Sequence, residues 1–265
     1  MSSPIIPLLR NELAKAARRK LPYFGFFAVA LVCVIVFFIG GQLSNAAAAN
    51  AWGYVGFSMQ MIFTDLGPIF VINFAALLIA EETGTGTIRS VLAAPVQRWE
   101  WYVAKAFSAL AYMMALSTAA LLVSTAMALV HFRFGPVSDA SGVVYGQGLV
   151  LRELLTSFLF SWIPLGTLAL YGLLISTLIR TPGGAVAVGT STLLIIDFTK
   201  QLVGIDHFIF TRYITYPWQN MAYVAQGMDY QWKPEVWKMI ALCAESAAVL
   251  FGAGLIVFVK EDLNH

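Results

Sequence analysis

The chain has 265 residues, 59% of them hydrophobic and 11% charged, with a formal net charge of +2 and a mean hydropathy of +0.77. A soluble domain of this length does not carry so few charges on so much apolar surface, so the composition defines an integral membrane protein. The net charge adds little beyond this, and no nucleic-acid partner is expected.

The first segment, PIIPLLRNELAKAARRK, alternates apolar and basic residues with helical spacing. Ile5, Leu8, Leu9, Leu13, Ala16 and Ala17 fall on one side and Arg10, Asn11, Lys15, Arg18 and Arg19 on the other. Residues 1–20 are therefore expected to form an amphipathic helix lying in the inner membrane interface. A solvated basic tail is the plainer alternative. The later stretch SNAAAANAW imitates a signal-peptide cleavage site. The charged region before it is about 20 residues long, however, and the apolar run 21–39 exceeds the usual h-region.

A bilayer core of roughly 30 Å takes about 20 apolar residues as helix. Six runs meet that requirement: residues 21–42, 59–80, 103–130, 154–179, 183–203 and 236–259. The expected fold is an all-α integral membrane protein, with one six-helix transmembrane domain over 21–265. An even number of spans puts both termini on one side. That side would hold ten of the sixteen Lys and Arg residues, and short loops rich in them stay cytoplasmic. A multi-pass protein of the inner (cytoplasmic) membrane is expected, with both termini in the cytoplasm.

Several polar groups interrupt the spans. Asp65 and Asn73 lie in the second, Asp197 and Lys200 in the fifth and Glu245 in the sixth. A charge at the centre of a membrane helix costs about 2.5–3.5 kcal/mol on insertion scales. Either these groups line a polar route or gate, or they snorkel to the interface and form structural ion pairs. Asp197 and Lys200, one helical turn apart, are placed to pair. Between the fifth and sixth spans, residues 204–237 concentrate Phe208, Phe210, Tyr213, Tyr216, Trp218, Tyr223, Tyr230, Trp232 and Trp237. Aromatics of this kind favour the membrane boundary, so short helices across the outer leaflet are expected there.

The chemistry of an independent enzyme is not apparent. TGTGT at 83–87 has no lysine and follows no strand, so it is not a phosphate-binding loop, and GGAVAVGTS at 183–191 opens a span. Helix punctuation and close packing of small residues explain both. No pair of His131, His207 and His265 has metal-ligand spacing, and no metal site is expected. Met59 and Met61 are the only hint of a soft metal, and such residues more often pack. Cys33 and Cys243 both fall inside apolar spans, where a thiol behaves as a small hydrophobe.

The richest polar stretch is EETGTGTIRSVLAAPVQRWEWYVAK, residues 81–105. Glu81 and Glu82 end the second span, Gly84 and Gly86 loosen the chain, and residues 87–94 can form a short helix that Pro95 stops. Arg98 to Lys105 then re-enter the membrane with Trp99, Trp101 and Tyr102 at the boundary. This stretch resembles the ATP-binding-cassette exporter permeases of the drug and polysaccharide type. In those proteins an acidic residue at the end of the second span is followed by G-T-[ILV]-R, a small apolar helix, P-[VI]-x-R and a downstream lysine. Here the matching positions are Glu82, Gly86, Thr87, Ile88, Arg89, Pro95, Val96, Arg98 and Lys105. An extra Thr-Gly unit leaves Glu81 or Glu82 for the acidic role.

The resemblance implies a permease subunit of an ABC transporter, an exporter with no enzymatic activity of its own. It would pair with a second permease, identical or homologous, above two copies of a separate ATPase. The chain itself would carry no cofactor, ATP and Mg belonging to the ATPase. Glu81, Glu82, Gly86, Thr87, Ile88, Arg89, Pro95 and Arg98 would couple the two, and Asp65, Asn73, Asp197, Lys200 and Glu245 would line the substrate route. Other readings remain: a channel or scaffold without an ATPase, a permease that supports maturation of another protein such as one handling copper, or an intramembrane enzyme using Asp65, Asp197 and Glu245.

Overall fold

The structure, a computed structural model, describes residues 5–40, 50–86, 97–139, 142–204, 206–228 and 233–260. Six of the described helices are long and apolar enough to cross a membrane. Helix α1 (Ile5–Arg18) leads into α2 (Lys20–Gly40). Helix α3 (Ala51–Met61) runs through a π-helical turn, Ile62–Leu66, into α4 (Gly67–Gly84). There follow α5 (Arg98–His131), a hairpin of β1 (Val137–Asp139) and β2 (Gly142–Tyr145), α6 (Gln147–Leu178), α7 (Pro182–Val203), two 3-10 turns, α8 (Tyr216–Ala225) and α9 (Lys233–Lys260).

Most spans outrun the apolar runs that announce them. The second is a continuous 34-residue helix from Ala51 to Gly84, about 50 Å long, whereas the sequence suggested 59–80. Its start is set by Asn50, whose side chain accepts a hydrogen bond from the Gly53 amide at 2.7 Å and so satisfies one of the free donors of the first turn. Helix α5 also has 34 residues and opens with a reciprocal cap between Gln97 and Glu100. A helix longer than the bilayer tilts or projects into water.

Helix α4 sits at the centre, packed against α6, α7 and α5, and α9 packs on α6. Small residues allow the close approaches. A Cβ on Gly172 of α6 would lie 2.6 Å from the Ile72 carbonyl oxygen of α4. Polar atoms reinforce the seams: the Ile79 and Ala80 amides lie 2.9 and 3.0 Å from Ser176 Oγ, and the Thr167 hydroxyl donates to the Cys243 carbonyl at 3.2 Å. By contrast, α2, α7 and α9 turn apolar side chains outward, among them Phe38, Phe198 and Val249, as lipid-facing helices do.

The aromatic segment before the last span does form short helices, but its rings do not all seek a boundary. Phe210, Tyr213, Tyr216 and Trp218 are buried within the bundle, while Phe208, Tyr223 and Trp237 are exposed. Trp218 stacks on Phe63 of the π-turn with centroids 6.1 Å apart. Burial of whole rings against neighbouring helices outweighs interfacial anchoring here. Tyr230 and Trp232 lie outside the described residues.

Candidate functional site: a buried ring of four charges

Helix α1 does not present the face its apolar residues suggested. Leu8, Leu9, Glu12, Lys15, Ala16 and Arg19 turn toward the bundle, whereas Leu13 and Ala17 are exposed. The reason is electrostatic, because the centre of the inward face is Glu12, 4% exposed, and it meets Lys105 of α5, 0% exposed. A buried ammonium demands anionic partners more strongly than Leu13 demands cover.

Lys105 Nζ lies 2.5 Å from Glu12 Oε2 and 2.7 Å from Glu82 Oε1 at the end of α4. Lys15 Nζ lies 2.9 Å from Glu12 Oε1 and 2.9 Å from the same Glu82 oxygen. Two carboxylates and two ammonium groups thus alternate around a closed, electrically neutral ring that joins three helices. The Lys105 ammonium also lies 4.7 Å from the centroid of the Trp101 ring, and Trp101 stacks on Phe258 of α9 at 4.9 Å. Burial pulls the Lys15 ammonium toward neutrality, but hydrogen bonds to Glu82 and Glu12 more than offset this, so its pKa rises above the ordinary lysine value.

The neighbouring acid behaves differently. Glu81 is half-exposed and pairs with Arg19 at 2.9 Å, so the buried acidic position belongs to Glu82 and not to Glu81. Arg98 donates to the Val259 carbonyl at 3.2 Å, near the end of α9, where a cation complements the helix dipole. Gly86 has φ +72°, the left-handed conformation that glycine adopts without strain, and it turns the chain out of α4. Thr87, Ile88, Arg89 and Pro95, with the short helix expected at 87–94, lie outside the described residues.

The polar groups within the spans do not form one set. Asp65, Asp197 and Lys200 border a cavity of about 280 Å³ between the π-turn, α7 and the 3-10 turn at Phe210–Tyr213. Lys200 donates to Asp197, as their spacing predicts, and to Thr211 at 3.3 Å. Asn73 is not in this cavity but accepts from the Thr190 hydroxyl at 2.9 Å, a helix–helix contact between α4 and α7. Glu245 is exposed on α9 and does not line this cavity, so Asp65, Asp197 and Glu245 do not share one site there. Met59 is fully buried and Met61 exposed, so the two do not face a common ligand.

Six described helices long and apolar enough to cross a membrane, a left-handed glycine at the end of α4 and a charge ring fastening the first helix to the second and third spans define a polytopic membrane protein. The family profile described as ABC-2 family transporter protein matches residues 8–180, and the chain belongs to that family. It is also similar to the uncharacterized protein YhcI of Bacillus subtilis (strain 168), with 27% identity over 174 residues, 63% of this chain and 54% of that protein. The match thus spans about half of that relative's length. Every residue of the charge ring lies within the family match, and Asp197 and Lys200 lie beyond it.

Proposed function

We propose that the chain is the permease subunit of an ABC exporter, working as a dimer with two separate ATPase subunits, and that the charge ring carries their movement into the spans. The observation behind this reading is that Glu82 and Lys105 bracket the connection 85–97 and are both fastened to α1 through Glu12 and Lys15. A push on that connection therefore acts on α1, α4 and α5 together. Both termini and Gly86 face the cytoplasm in this arrangement, where an ATPase has access to them.

The test begins with copurification of the tagged permease and identification of any bound nucleotide-binding protein. Arg89→Ala is then the informative variant, since substitution of Glu82 would also disturb the ring. It is expected to leave the permease inserted and dimeric while lowering substrate-stimulated ATP hydrolysis by the assembled complex. Unchanged hydrolysis and transport would remove the coupling role, and a permease that recruits no nucleotide-binding protein would remove the ABC reading.

A further inference from the structure

About 25 Å along the helix axis from Glu82, near the middle of the 34-residue helix, the π-turn opens the polar cavity. The turn is made by the Gly67 amide donating to the Ile62 carbonyl five residues back, a local widening that frequently accompanies functional sites. At about 280 Å³ the space holds roughly nine water molecules, enough for a small polar head.

Its lining is chemically lopsided. Amides of Gln60 and Gln219 and hydroxyls of Thr64 and Thr215 supply hydrogen-bonding groups. Lys200, 9% exposed, is spent on Asp197 and Thr211. Asp65 has no ion-pair partner among the described residues, so the lining keeps one uncompensated negative charge. Such a wall repels phosphates and carboxylates and attracts a cation, and a carboxylate beside amides and hydroxyls matches an ammonium set among hydroxyl groups.

We propose that this cavity binds a primary ammonium group borne on a small hydroxylated body, with Asp65 as the counter-charge. The amine arrives either free in solution, as in an amino sugar, or on a membrane-anchored molecule. The proposal rests on the permease reading only for what delivers the amine, and binding is measured without transport.

The full chain is reconstituted in nanodiscs of phosphatidylcholine and phosphatidylglycerol and titrated with radiolabelled glucosamine. Saturable binding is expected, displaced by ethanolamine but not by glucose. Asp65→Asn should weaken it about tenfold or more, as loss of a charge-assisted contact does, and Asp65→Glu should retain it. Asp65 is exposed and makes no ion pair among the described residues, so these variants are expected to fold, as verified by gel filtration and circular dichroism. Repeating the titration with phosphatidylethanolamine in the discs separates the sources. Loss of glucosamine binding there supports the site with a lipid amine as occupant, and retention supports it with a soluble one. Absence of saturable binding, equal competition by glucose, or an Asp65→Asn chain that binds like the parent overturns the proposal. A parent that binds no amine but still recruits and stimulates an ATPase refutes this inference and leaves the permease reading standing.

Discussion

Replacing Lys105 by Met removes the one fully buried cation of the charge ring while keeping most of its aliphatic bulk. Glu12 and Glu82 are then left nearly buried with only the half-buried Lys15 between them. Two charge-assisted hydrogen bonds contribute about 1.5–3 kcal/mol each and the contact with Trp101 about 0.5–2 kcal/mol. Part of this is returned because an ammonium no longer has to be held out of water, and breaking a buried pair from one side typically costs about 3–5 kcal/mol. For a chain of this size that corresponds to a melting temperature lower by about 6–20 °C. Thermal unfolding of the purified permease in nanodiscs reads the loss, and a cycle with Glu12→Gln apportions it. The double variant should be less damaged than the two single losses added together, by about 1–3 kcal/mol. A Lys105→Met protein melting within about 2 °C of the parent, well below the shift expected for losing a buried pair, would show that the ring does not hold these helices.

Single cysteines at Gly86, Ser138 and Met228, in a background without Cys33 and Cys243, should react with an impermeant reagent only from the inside for the first and from the outside for the other two; labelling of Gly86→Cys from outside intact cells would invert the topology. Lys200→Met should destabilise the fifth span more than the Asp197→Asn/Lys200→Met pair, with a coupling of about 1 kcal/mol between them, and simple additivity in a melting series would dismiss the ion pair. Gly254→Ala puts a Cβ 2.1 Å from the Tyr102 hydroxyl oxygen, so it should cost about 1–3 kcal/mol in the same unfolding assay; Tyr102→Phe in the same chain should restore part of that loss, and failure to do so would place the clash elsewhere.

The six spans were legible because a membrane helix must satisfy its own backbone, which leaves a run of apolar residues that no other structure needs. Their ends were harder to read. Asn50 and the Gln97/Glu100 pair are start signals that place two helices 5 to 8 residues before the apolar run begins, and only the caps mark those starts. The Asp197–Lys200 pair followed from spacing alone, whereas Glu12 escaped notice because its partner Lys105 lies 93 positions away. One signal was available, since Glu12 is the sole acidic residue of α1 and stands where that helix was expected to be basic. The π-turn at Ile62–Leu66 is marked only by the Gly67-Pro68 pair that follows it, where proline has no N–H for the α-helical ladder, and the cavity beside it depends on α7 and on residues beyond position 210 that local patterns do not connect.

The second span also has a mechanical consequence. Its unbroken course from Ala51 to Gly84 makes it a lever held by the charge ring near its last residues and carrying Asp65 near its middle. Swinging such a rod by about 10° around Glu82 sweeps Asp65 through about 4 Å at a radius of about 25 Å. That sweep exceeds the length of a hydrogen bond, so a tilt too small to unpack the bundle is large enough to open or close the polar contacts around Asp65.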